Sequence, residues 1–233
     1  MNRTIDLNAD LGEGCPWDDA LLQRVSSANV SCGAHAGTAD GIIRTLRWAV
    51  DRGIVVGAHP GYADRAGFGR VDQDLTDDQI RVLITGQLDA LAGWAKGAGA
   101  TVQYVKPHGA LYNQGQRDQR IAAAMVAALA GRGLPILGQP GGEVERAARG
   151  AAVRFVAEGF ADRRYRPDGR LVPRTEPGAM LDRPDEIRAQ VLALIDRGVE
   201  TLCVHGDDPR SVGLADLTLA TLRGAGVEVR GFA

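Results

Sequence analysis

All four histidines of the chain stand where a short apolar run gives way to a turn. His35 follows Ala28-Asn-Val-Ser-Cys-Gly-Ala, and His59 follows Ile54-Val-Val-Gly-Ala. His108 follows Val102-Gln-Tyr-Val-Lys-Pro, and His205 follows Thr201-Leu-Cys-Val. A short apolar run bounded by Gly and Pro reads as a buried strand ending in a loop. In repeated strand–helix folds the C-terminal strand ends share one face, and chemistry collects there. Imidazoles titrate near neutrality, so a set of them on that face suits proton transfer or metal binding.

Acidic and basic residues stand at the same strand ends. In Asp6-Leu-Asn-Ala-Asp10-Leu-Gly-Glu13, the residues Asp6, Asn8 and Asp10 alternate and so share one side of a strand. Buried carboxylates call for a metal, a cationic partner or acid/base work. Asp10, His35 and His59 come from three consecutive strand ends, and one carboxylate with two imidazoles is a facial metal-ligand set. The same three groups serve equally well as an acid/base network without metal. Lysine occurs only at Lys96 and Lys106 among 27 basic residues, so a lysine at a strand end is informative. In Lys106-Pro-His108-Gly-Ala-Leu-Tyr112-Asn113 a cation and an imidazole stand together, suited to holding an anion or stabilising an oxyanion. Glu158 adds a carboxylate just past the sixth strand, and Arg163 and Arg174 in the following loop can clamp a substrate carboxylate. His205-Gly-Asp207 closes the set, with Asp207 placed to orient an imidazole or lie on the rim. The catalytic candidates are thus Asp10, His35, His59, Lys106 and His108. The substrate-binding candidates are Asn8, Glu13, Tyr112, Asn113, Glu158, Arg163, Arg174, His205 and Asp207.

These residues need a scaffold that brings strand ends together. Strand-like runs lie near Thr4–Ala9, Ala28–Cys32, Ile54–Ala58, Thr101–Val105, Pro135–Gly138, Val153–Ala157, Thr201–Val204 and Val227–Arg230. Helical patterns fill Asp18–Ser26, Ala39–Arg52, Asp77–Lys96, Arg117–Arg132, Glu143–Arg149, Asp185–Arg197 and Ser211–Arg223. Thr76-Asp-Asp-Gln79 is a capping box, Pro184 suits a first helical turn, and glycines follow several helices as C-caps. Alternating strands and helices imply a parallel sheet with right-handed crossovers. Neither Gly-x-Gly-x-x-Gly nor Gly-x-x-x-x-Gly-Lys-Ser/Thr occurs in the expected place, which removes the two familiar nucleotide-binding open sheets. The expectation is α/β: an irregular single-domain (β/α) barrel of seven to eight parallel strands spanning residues 1–233. Two long stretches without periodicity, Tyr62–Leu75 and Arg163–Arg183, are expected to be functional loops.

Composition bounds the rest. The chain has 233 residues, 45% hydrophobic and 24% charged, with a net charge of −2. Nothing here suggests a nucleic-acid surface, an anionic membrane or a transmembrane span. Three cysteines make no disulfide framework, so a reducing cytoplasm is expected.

Several segments together resemble the LamB/YcsF family. They are Asp6-Leu-Asn-Ala-Asp-Leu-Gly-Glu-Gly, Ala28-Asn-Val-Ser-Cys-Gly-Ala-His-Ala-Gly, Gly57-Ala-His-Pro-Gly-Tyr and Gly67-Phe-Gly-Arg, followed by Val105-Lys-Pro-His-Gly-Ala-Leu-Tyr-Asn, Glu158-Gly-Phe-Ala-Asp-Arg-Arg-Tyr and Cys203-Val-His-Gly-Asp-Asp-Pro. Departures are small: Ala9 replaces a usual Cys, Val71 a second Arg after Arg70, and Asp208 a usual Thr. The resemblance implies a distorted barrel similar to polysaccharide-deacetylase-type barrels. It also implies ATP-dependent opening of the 5-oxoproline lactam to glutamate, shared with two partner 5-oxoprolinase subunits, B and C. ATP then enters as a cosubstrate of the complex, bound mainly by the partners, since this chain carries no phosphate-binding loop. Asp10, His35 or His59 would act as base, Lys106 and His108 as oxyanion donors, and Arg163 or Arg174 as the carboxylate anchor. No catalytic metal is expected, because a phosphorylated lactam is already activated; if one is held, Asp10, His35 and His59 are the set. A homo-oligomer stays open. Two other readings also stay open: a stand-alone metal-dependent amidase or deacetylase, and a non-catalytic lactam-binding subunit.

Overall fold

The computed structural model describes residues 3–174 and 176–232. Seven strands run parallel, each hydrogen-bonded to the next: β1 (Arg3–Leu11), β2 (Ser27–Ser31), β3 (Val55–His59), β4 (Val102–Val105), β5 (Ile136–Gly138), β6 (Phe155–Phe160) and β7 (Thr201–Val204). β1 closes the ring by pairing with both β2 and β7. β8 (Val227–Val229) pairs with Arg3–Ile5 at the start of β1, while Asn8–Leu11 further along pair with β2. The result is a closed seven-stranded parallel barrel with one extra strand, within the seven to eight strands expected.

Helices cover the outside: α1 (Asp18–Leu22), α2 (Ala39–Asp51), α3 (Asp77–Ala98), α4 (Gly109–Arg117), α5 (Gln119–Ala127), α6 (Glu143–Gly150), α7 (Pro184–Asp196) and α8 (Ser211–Gly224). Their starts follow from side-chain chemistry. Thr76 and Gln79 form the full capping box of α3, and Gly99 ends that helix with a φ of 79°. Pro184 occupies the first turn of α7. Two helices differ from the sequence pattern. α1 stops at Leu22 rather than Ser26. The helix expected over Arg117–Arg132 is the shorter α5, which Asp118 caps by accepting from the Arg120 and Ile121 N–H groups and which ends at Ala127, and α4, not expected, precedes it. α4 fills a segment whose Pro107 and Gly109 read as a strand-end loop. Among the described residues, no helix is long and apolar enough to cross a membrane.

The barrel interior is polar, which is what positions the site. Leu7, Ala9 and Leu11 join the apolar core outside the sheet, so Asp6, Asn8 and Asp10 face inward. Asp6 accepts from Ser26, Ser27 and Thr201, and burial raises its pKa. Asn8 Nδ2 donates to Thr201 Oγ1 at 2.7 Å and Glu158 Oε1 at 3.2 Å, and its Oδ1 accepts from Asn29 at 2.6 Å. The Tyr104 hydroxyl donates to Asn29 Oδ1 at 2.7 Å. Five strands thus share one hydrogen-bonded network. Tyr104, Leu137 and Val156 pack below it, with the Phe232 ring 5.0 Å from that of Tyr104. Gly57 on β3 is required here, because a Cβ would run into the Tyr104 ring.

Candidate active site

The C-terminal strand ends open into a cavity of about 380 Å³. Asp10 comes from the end of β1 and Glu13 from the turn beyond it, where Gly12 has a φ of 74°. His59 is the last residue of β3, Lys106 follows β4 directly, and His108 is the N-cap of α4. His205 follows β7. Of the residues expected from sequence, Asp10, Glu13, His59, Lys106, His108, Tyr112, Asn113, Arg163, Arg174, His205 and Asp207 line this cavity. Asn8 and Glu158 lie one layer deeper, against Lys106, with Glu158 inside β6 rather than past its end because that strand runs on to Phe160. His35 lies behind Glu13, 1% exposed.

Lys106 is committed to the barrel rather than free for a substrate. Its ammonium lies 2.8 Å from Asp10 Oδ1, 2.9 Å from Glu158 Oε1, 2.9 Å from Cys203 Sγ and 3.3 Å from Asn8 Oδ1. Burial opposes its charge, yet Asp10, Cys203 and Glu158 outweigh burial and hold its pKa well above the ordinary lysine value. Asp10 is the mirror case: burial pushes its pKa up, and His59 and Lys106 pull it well below the usual carboxylate range. An ammonium with four acceptors around it is an anchor for Asp10 more than a ready oxyanion donor.

Three imidazoles surround Glu13. Its Oε1 lies 3.1 Å from His35 Nε2, 3.2 Å from His108 Nδ1 and 3.7 Å from His59 Nε2. His35 stacks on His108 at 3.8 Å with 5° between planes, and His59 stands edge-on to both. Burial lowers the His35 pKa to about 4, so this ring is neutral near pH 7. The His59 pKa is raised: burial opposes its charge, and the Asp10 and Glu13 carboxylates prevail.

The opposite wall carries cations and their partners. His205 Nδ1 lies 3.0 Å from Asp162 Oδ2, and its ring stacks on Phe160. Arg174 pairs with Asp207 at 3.1 Å, and Arg70 pairs with the same carboxylate. Arg163 donates to the Val172 carbonyl at 2.6 Å while its buried Nε has no partner, and burial beside Arg174 lowers its pKa to about 10. Arg70, Asp72, Arg117, Phe160 and Arg170 also line the cavity and are additional to the candidates read from sequence. Arg70 and Arg170 stand in the two long aperiodic loops, which is the signal that could find them. Phe160 offers none, since an apolar residue on an apolar strand looks like core.

A model of the LamB/YcsF family matches residues 5–233. The chain is 48% identical to the A subunit of 5-oxoprolinase from Mycolicibacterium paratuberculosis, over 98% of each chain. It is 36% identical to a lactam utilization protein from Thermus thermophilus, with a TM-score of 0.90 over 98% of this chain and 100% of that one. The catalytic domain of a peptidoglycan N-acetylglucosamine deacetylase from Eubacterium rectale superposes with a TM-score of 0.58 at 10% identity, over 100% of this chain and 90% of that one. That last likeness concerns the fold, and it matches the deacetylase-type barrel expected.

Proposed function

The chain belongs to the LamB/YcsF family, and we propose that it is the lactam-opening subunit of a cytoplasmic, ATP-dependent 5-oxoprolinase that works with partner subunits B and C. The observation that carries this reading is the pairing of a buried acid–imidazole cluster at the cavity floor with an arginine-bearing wall. A five-membered lactam is an unactivated amide. Transfer of the ATP γ-phosphoryl group to its oxygen makes the ring carbon an electrophile. Water must then lose a proton as it attacks, the ring nitrogen must gain one as the C–N bond breaks, and the acyl phosphate so formed gives glutamate and inorganic phosphate when a second water cleaves it. Asp10, whose Oδ2 lies 3.5 Å from His59 Nε2, is the group for these transfers, taking the proton from water and returning it to the ring nitrogen. Lys106 holds Asp10 in place, and His35 holds Glu13. Arg163 and Arg174 are suited to the substrate carboxylate. ATP is bound mainly by the partners.

The test is glutamate release by the assembled complex carrying Asp10→Asn, which preserves size and hydrogen bonding. Turnover falls at least tenfold with assembly intact. Near-normal turnover would favour a non-catalytic subunit that delivers lactam to its partners.

A further inference from the structure

Glu13, His59 and His108 meet at the cavity floor in a way that hydrogen bonding leaves incomplete. His59 Nδ1 lies 2.7 Å from the Lys106 carbonyl oxygen, and His108 Nε2 lies 2.8 Å from that of Phe68. A carbonyl only accepts, so both nitrogens carry hydrogen. His59 Nε2 and His108 Nδ1 are then bare lone pairs in the neutral rings, and they face each other at 2.9 Å. Two lone pairs at that separation repel unless a cation lies between them. Glu13 Oε1 completes a triangle, 3.2 Å from His108 Nδ1 and 3.7 Å from His59 Nε2. A proton held between the imidazoles serves one edge of that triangle. A tetrahedral ion with bonds of about 2.0–2.1 Å spaces its ligand atoms about 3.3 Å apart, and the three edges bracket that spacing.

We infer that Glu13, His59 and His108 form a binding site for one divalent transition-metal ion of the zinc type. Charge supports this independently. Asp10, Glu13 and Glu158 are buried carboxylates; the Lys106 ammonium meets Asp10 and Glu158, while Glu13 meets only imidazoles. A divalent ion would give Glu13 the cation it lacks. Imidazole and carboxylate donors suit a borderline ion rather than magnesium or calcium. The two backbone carbonyls fix ring orientation and tautomer as the partners of metal-bound histidines do. One of them belongs to Phe68, whose φ of 54° is a left-handed conformation uncommon for a bulky side chain.

This set differs from Asp10, His35 and His59, the one drawn from consecutive strand ends. His35 lies parallel to His108 at 3.8 Å, so an ion in the plane of one ring sits far out of the plane of the other. His35 instead orients Glu13. Asp10 Oδ1 is engaged by Lys106 and Asn29, while its Oδ2 stays 3.5 Å from His59 Nε2. If the lactam-opening reading holds, the ion would polarise the lactam oxygen or a water facing the cavity. Binding itself does not depend on that reading.

The test uses the full chain stripped of metal and titrated with cobalt(II), then with zinc in competition. The expected result is one equivalent bound, a visible absorption band of the low-coordinate N/O type, and a rise in Tm with zinc that magnesium does not give. Glu13→Gln and His108→Ala, checked for folding by circular dichroism, weaken cobalt binding at least about a hundredfold, more than loss of an outer-shell partner does. His35→Ala weakens it less than either. No stoichiometric uptake by the wild-type chain would overturn the inference and leave a shared proton in its place. Uptake undiminished in folded His108→Ala would overturn it equally.

Discussion

At the scale of single residues, the site is a set of charges that neutralise one another inside a barrel. Lys106 shows the consequence. Its removal leaves Asp10 and Glu158 buried without their cation, and breaking a buried pair costs about 3–5 kcal/mol. Lys106→Met therefore loses stability in urea unfolding as well as activity, and adding Asp10→Asn recovers part of the loss. Wild-type stability in Lys106→Met would show that the ammonium is not what balances these acids. Asp162 gives a pH signature. Burial raises its pKa, but His205, Arg174 and Arg163 outweigh burial and hold it below the ordinary value. A depressed carboxylate adds stability that is complete above its unfolded pKa of about 3.9 and fades as pH falls through the folded value. Asp162→Asn should thus flatten the decline of Tm below about pH 5. Parallel acid limbs for variant and wild type would contradict it. The candidate residue types are legible in the sequence because chain position alone marks a strand end. Their pairings are not: nothing local says that Lys106 points at Asp10, or that carbonyls of Lys106 and Phe68 fix two tautomers. Those contacts join residues 40 and more positions apart.

At the scale of elements, alternation and caps carry the most information. The capping box at Thr76 and the proline at Pro184 start helices where expected, because both act on neighbouring backbone. α4 is hidden in the sequence, since His108 as N-cap and Gly109 as first residue resemble a turn, and the apolar face of Ala110, Leu111 and Tyr112 is only one turn long. β1 extends to Leu11, beyond the Ala9 limit of its apolar pattern, because Asp10 is held by partners on other strands rather than by propensity. β3 depends on Gly57 beside Tyr104. Gly57→Ala forces the ring or strand to move, an overpacking that costs about 1–3 kcal/mol. Tm falls accordingly, and an unchanged Tm would mean that the barrel floor has slack.

At the scale of the whole molecule, a closed barrel gathers residues from every part of the chain at one mouth. The fold class is legible because strand and helix patterns alternate to the end, and closure follows once β1 pairs on both edges. The mouth suits the opening of an activated lactam, and the chain carries neither common nucleotide-binding fingerprint. The proposed division of labour therefore rests on partners that supply activation. The direct measurement is release of glutamate and ADP from 5-oxoproline and ATP with this chain alone, with subunits B and C alone, and with all three. The expected result is coupled turnover only in the complete mixture. Robust turnover by this chain alone would contradict the account in favour of a stand-alone amidase, and full turnover by B plus C without it would reduce the chain to an accessory.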